Sequence, residues 1–128
     1  MDAVKAVDWD LSGLRVPPSP DEGPRRTWAG LLNDLARIRG YEDDWDGDGT
    51  EAIAPGLMDA AAALAQALEA AGWPAADIVS GTRDATINFY WRSAVGSLNL
   101  DVVSATEAES AWIPKGATRA EIGKFARG

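Results

Sequence analysis

Between the segment over 27–71 and the segment over 75–114 hydrophobic spacing switches, at Pro74, and that switch constrains the fold more than any other feature. Before it, apolar residues recur at offsets of three and four; after it, they alternate. Thr27 is suited to cap a first helix over about 27 to 39, with Trp28, Leu31, Leu32, Leu35 and Ile38 on one face and Gly40 as the stop. Pro55 suits the first turn of a second helix running to about Ala71, with Leu57, Leu64 and Leu68 in one stripe among alanines and with Gly72 and Pro74 behind it. Beyond Pro74, "ADIVSG", "TINFYWRS", "SLNLDVVS" and "SAWIP" read as strands, with Ile87, Phe89 and Trp91 on the opposite side of the second from Thr86, Asn88 and Tyr90. Links this short force antiparallel neighbours. The final "TRAEIGKFARG" carries a capping box, Thr118 with Glu121, which predicts a short C-terminal helix bearing Ile122 and Phe125. The pattern therefore predicts an α+β domain over 27–116, two helices packed on one face of an antiparallel sheet of about four strands. An N-terminal arm and linker, 1–26, precedes it, and the helical segment 117–128 follows.

The 128 residues are enough for one core and too few for two. Cysteine and histidine are both absent. That removes disulfides, thiolate and imidazole zinc sites, and the Ser-His and Cys-His nucleophile pairs, so any metal would have to be hard and held by oxygen. A net charge of −8 disfavours nucleic acid and anionic membranes as partners and favours a basic protein. Met1 is followed by "DAVKAVDWD", not by a basic stretch leading into an apolar one, and no apolar run has the length of a spanning helix. The expectation is a cytoplasmic protein, and the abundance of alanine and glycine suggests a bacterial one.

Chemistry concentrates in "DDWDGDGTE", residues 43 to 51. Asp44, Asp46 and Asp48 fall at the first, third and fifth positions of a D-x-D-x-D-G calcium loop, with Gly49 at the sixth. Its twelfth position, however, is Pro55, which cannot supply the bidentate carboxylate, and its eighth is Glu51 where an apolar residue is usual. Glu42, Asp43 or Asp59 would have to complete a non-standard shell. The simpler reading is a structural turn of Trp45, Asp46, Gly47 and Gly49. There the aspartates bond to backbone amides, the glycines take positive φ, and Trp45 folds back as an apolar anchor whose indole N–H finds a carbonyl or carboxylate. A catalytic carboxylate pair needs a cleft between groups held apart, which acids crowded on one loop do not offer. "GTRD" and "SAVGS" lack the spacing and the lysine of a phosphate loop. No catalytic residue and no cofactor is expected.

"LLNDLARIRGYEDDWDGDGTEAIAPGLMDAAAALAQAL", followed by "TINFYWRS" and "GSLNLDVVS", resembles a widespread group of small uncharacterised bacterial proteins. Their pattern is a leucine-bearing helix, a W-D-G-x-G-[AS] motif, a proline, an alanine-containing helix and an I-x-[FLIV]-x-W strand with a meander behind it. Trp45, Asp46, Gly47 and Gly49 match the motif, Pro55 the proline, and Ile87, Phe89 and Trp91 the strand, so the likeness covers roughly residues 28 to 113. Thr50 stands where alanine or serine is typical, "RDAT" replaces a tighter turn, and the position of Asp48 is often not acidic in such proteins. The resemblance implies the architecture and the turn, and no reaction.

In the arm, Trp9, Leu11, Leu14 and Val16 alternate with acids and small residues in "VDWDLSGLRV", the look of a segment that docks on something. Packing on its own domain is the weightier alternative. The function expected is a non-enzymatic protein-binding module, in the manner of an antitoxin, immunity or accessory member of a small bacterial gene module. Trp9, Leu11, Leu14 and Tyr90 would be its anchors for a basic partner, and the acids would steer the encounter. Each has a plainer role: Tyr90 under the arm, and the tryptophans, Trp28 and Trp91 above all, as core. The alternatives are a calcium-binding domain, an acidic decoy of nucleic acid, and a homodimer paired through an outer strand.

Overall fold

The computed structural model describes residues 9–17 and 26–127. The arm's residues 1–8 and 18–25, and Gly128 of the expected terminal helix, lie outside the described residues. Two helices, α1 (Trp28–Arg39) and α2 (Pro55–Ala70), precede five strands: β1 (Ile78–Gly81), β2 (Ile87–Ser93), β3 (Gly96–Val102), β4 (Glu107–Pro114) and β5 (Glu121–Ala126). The strands form one antiparallel sheet in the order β1-β2-β3-β4-β5.

The helix ends follow from local chemistry. Thr27 sits in extended geometry and its hydroxyl accepts the Gly30 N–H at 3.0 Å, satisfying one of the free amides of α1. Arg37 and Arg39 in the last turn complement the helix dipole. Pro55 opens α2 where its missing N–H costs nothing. Gly72, at φ 86, closes α2 with paired bonds, Trp73 N–H to Leu68 O and Gly72 N–H to Glu69 O, both 3.0 Å. That closure directs Trp73 into the core.

The core lies between the helices and one sheet face. Leu31, Leu35 and Ile38 of α1 meet Leu57, Leu64 and Leu68 of α2, while the fully buried Ala60, Ala61 and Ala65 let neighbours approach closely. Below them, Ile87, Phe89, Trp91, Leu98, Leu100 and Val102 point inward from β2 and β3. Trp91 stands edge-on to both Trp28 and Trp73, with ring centroids 6.4 and 5.6 Å away. Its indole N–H reaches Pro74 O and that of Trp28 reaches Trp73 O, each at 2.9 Å, so both buried donors are satisfied.

Two expectations need correction. The sheet has five strands instead of about four, and the terminal segment is a strand, not a helix. Six residues of β5 pair in register with β4, from Glu107↔Ala126 to Trp112↔Glu121. A helix of that length has too few bonds to offset its nucleation cost, whereas the open edge of β4 offers a partner for the whole segment. The spacing of Ile122 and Phe125 decides the outcome. Three residues apart they would share a helix face, but on a strand they point oppositely, and Phe125 is buried while Ile122 is 68% exposed.

Among the described residues, neither helix reaches β4 or β5. The inner face of that half is closed by the arm. Trp9 forms an isolated bridge with Arg127, its ring meets Phe125 edge-on at 5.4 Å, and its indole N–H donates to Ala60 O at 2.9 Å. Leu11 and Leu14 pack against the core, and Arg15 lies 5.0 Å from the Trp112 ring and 3.6 Å from a Glu121 carboxylate oxygen. The arm thus acts as a third covering element for the sheet.

Candidate functional site: the uncovered sheet face

The acidic loop, richest in titratable groups, uses its carboxylates on its own backbone. An Asp43 oxygen accepts the Ala52 N–H at 2.9 Å, Asp44 accepts Gly49 N–H at 2.7 Å, and Asp46 accepts Asp48 N–H at 2.9 Å together with the Thr50 hydroxyl. Asp48 pairs with Arg83 at 2.8 Å, an exposed contact of little energetic weight. Asp44, Gly47 and Gly49 take positive φ, which lets the chain curl around these acceptors. The Thr50 hydroxyl, and after it the Asp48 N–H, hold the Asp46 carboxyl below its ordinary pKa, so it stays charged, the opposite of what a general acid requires. Among the described residues no three acidic side chains converge as a cation cage would need.

Trp45 is folded back, half-buried. Its ring stacks on Tyr41 at 4.7 Å, its N–H donates to Glu51 O at 3.2 Å, and its far edge lies over Gly81. A Cβ on Gly81 would sit 3.4 Å from the Trp45 ring and 2.9 Å from Ile53 Cδ1, so the bare backbone there makes room for both side chains. The loop is tied to the β1–β2 end of the sheet by these contacts and by Arg83.

The residues proposed as partner anchors separate. Trp9 is 5% exposed and belongs to the chain's own core, with Leu11 and Leu14 packed partly against it. Tyr90 lies elsewhere, half-buried on the opposite face of the sheet from the helices.

That outer face carries no covering element among the described residues. Cross-strand pairing lines up Ile78, Tyr90, Asn99, Ala111 and Ile122 in one row over all five strands. Ile78 is 52% exposed and Ile122 68%, and Ile113 and Val103 add exposed aliphatic surface. On one side of the row stand Asp101 and Glu109, directly opposed across β3 and β4, with Glu107 beyond them. Like charges so placed disfavour the sheet, relieved here by Asn88 donating to Asp101 at 2.7 Å and by Lys124 opposite Glu109. A shallow hollow of about 320 Å³ at this corner is lined by Asp10, Glu107, Glu109 and Lys124 with Val103 and Phe125. The Ser12 hydroxyl, then the Ser12 N–H, keep the Asp10 carboxyl below its usual pKa. On the other side of the row, Tyr90, Arg92, Ser97, Ile113 and Lys115 line a second hollow of about 370 Å³. Neither Arg92 nor Lys115 forms an ion pair among the described residues. Asp77 accepts the Arg92 backbone N–H at 2.7 Å.

Of the residues on this face the sequence singled out Tyr90 as an anchor and did not single out Ile78, Ile113, Ile122, Arg92 or Lys115. The alternation of β2 already set Tyr90 and Asn88 outward; extending it to β5 would have found Ile122.

No helix among the described residues is long and apolar enough to cross a membrane. Comparison with known protein families, with curated proteins and with solved structures found no significant match.

Proposed function

We propose that this chain is a protein-binding module without chemistry of its own, and that it binds through the outer face of its sheet. The observation that carries the reading is the row Ile78, Tyr90, Asn99, Ala111 and Ile122, aliphatic or aromatic at every position but Asn99 and left open on a face flanked by charge. Contiguous apolar surface rimmed by polar groups is what interfaces present, and tyrosine is a favoured anchor because it adds contact area with little entropy to lose. The flanking charges set orientation and encounter rate. The acidic composition, free of histidine and cysteine, and the self-satisfied loop support a binding role over a catalytic one.

A photo-crosslinking residue at position 90, introduced in the native host, tests it. Discrete adducts are expected from position 90, lost on adding Ile122→Asp, and none from a control at Gln66 on the exposed side of α2. Equal labelling from both positions, or adducts indifferent to Ile122→Asp, refutes the assignment.

A further inference from the structure

We infer that the occupant of the outer face is a second copy of this chain, packed face to face about a two-fold axis that runs across the strands along the Ile78–Ile122 row. The inference rests on the binding role assigned above to that face and names its partner.

Charge placement carries it. The face is bipolar: Asp101, Glu107 and Glu109, with Asp10 at the corner, lie on one side of the row, and Arg92 and Lys115 on the other. Lys124 tempers the acidic side, and Asp77, engaged by the Arg92 N–H, tempers the basic side. The spacings match about the row. Arg92 is two residues from Tyr90, as Asp101 is from Asn99 and Glu109 from Ala111; Lys115 and Glu107 are each four residues from Ala111. A two-fold along the row therefore sets Lys115 of one copy over Glu107 and Glu109 of the other, and Arg92 near Asp101. The row meets itself, Ile78, Tyr90, Ala111 and Ile122 supplying its apolar contacts and the Asn99 amides facing each other at its centre, with each hollow receiving the other copy's charged side chains. An axis along the strands would instead set acids on acids. Electrostatics thus selects one self-complementary arrangement, the isologous kind on which most homodimers are built, and sheets packed this way are a common layer architecture.

The size of the face limits the contact available. Five strands about 4.8 Å apart and roughly eight residues at about 3.4 Å give a flat footprint on the order of 500 Å², toward the small end for a specific complex. Dimerisation is expected in the micromolar range, with a dissociation constant on the order of 10 μM.

The test uses the full chain and two double variants at exposed positions, E107K/E109K and R92E/K115E. Sedimentation equilibrium of the wild type from about 1 to about 500 μM is expected to show a monomer–dimer equilibrium. Each double variant, its circular dichroism unchanged, should associate at least about tenfold more weakly, since like charges then meet at both ends. An equimolar mixture of the two should recover a heterodimer of wild-type strength. A wild type monomeric throughout, a dimer insensitive to both variants, or a mixture that does not recover each overturns the inference. In any of these cases, adducts from position 90 to a different protein would leave the binding role standing with another partner.

Discussion

If the arm is a covering layer of the core, removing the Trp9 side chain should destabilise the whole domain. A tryptophan side chain buries roughly 200 Å², which at about 25 cal/mol per Å² is worth about 5 kcal/mol, and residual burial in the unfolded chain lowers that to about 3 to 4.5 kcal/mol. Trp9 is 5% exposed, so nearly all of this applies, and Trp9→Ala also removes the N–H donated to Ala60 O, worth about 1 kcal/mol. One process opposes the full loss. The weakened arm can peel away and regain roughly 1 to 2 kcal/mol of backbone entropy per freed residue, which limits the penalty to the net free energy of docking. The expected cost is therefore about 3 kcal/mol. Trp9→Phe keeps an aromatic ring against Phe125 and should cost about 1 to 2 kcal/mol. Deletion of residues 1–17 should cost at least as much as Trp9→Ala and also lower the urea m value, because Phe125, Trp112 and Ala108 would be exposed in the folded state. Urea unfolding followed by far-ultraviolet circular dichroism measures all three. A Trp9→Ala midpoint within about 0.5 kcal/mol of wild type, or a deletion with unchanged midpoint and slope, would refute the idea that the arm completes the core.

Two further perturbations probe the frame around the two faces. Gly96 has φ 152, and a Cβ there would lie 2.5 Å from Ile113 O and 2.9 Å from the Trp112 ring, so Gly96→Ala should cost about 2 to 4 kcal/mol in thermal or urea unfolding. Gly13, at φ 85 with open space around it, should cost only about 1 kcal/mol on the same change. For the acidic loop, the Asp46 pKa is lowered in the folded state. Its contribution to stability is accordingly complete above the ordinary aspartate pKa of about 4, and is lost as pH falls through the lowered folded value. Carbon-13 titration of the Asp46 carboxyl should find a midpoint below the ordinary one, moving upward in Thr50→Val. An unmoved midpoint would mean that the Thr50 hydroxyl is not what holds it down.

The sequence made α1, α2 and the first four strands legible because each carries a local cause: the Thr27 cap, Pro55 at the head of α2, Gly72 at its end, and the alternation through Ile87, Phe89 and Trp91. The last strand was not legible for a physical reason. Thr118, Glu121, Ile122 and Phe125 satisfy a local helix pattern, and only two distant elements, the free edge of β4 and the Trp9 ring, tip the segment to a strand. Trp9 was visible as an aromatic needing somewhere to go. Its socket could not be read, because the carbonyl comes from residue 60 and the ring from residue 125. In the loop, the residues matching W-D-G-x-G were legible as turn-formers, while the contact of Trp45 with Gly81 depends on where β1 lies.

Charge shows where composition stops being informative. The total of −8 argues for a basic partner only if a partner meets the average, and screening at about 8 Å in physiological salt means that it meets a local pattern. That pattern is set by register. A one-residue slip of β4 would turn Glu107 and Glu109 inward and Ala108 and Trp112 outward, reversing both faces at once. What prevents the slip is the inner face: Trp112 beside Leu98 and Ala108 between Val102 and Phe125, with Gly96 leaving room for the Trp112 ring. The core residues therefore decide which charges the outer face presents and on which side of the Ile78–Ile122 row they stand. Tightly packed apolar side chains on the buried side thereby specify the pattern of charge on the exposed side, although none of them reaches that face.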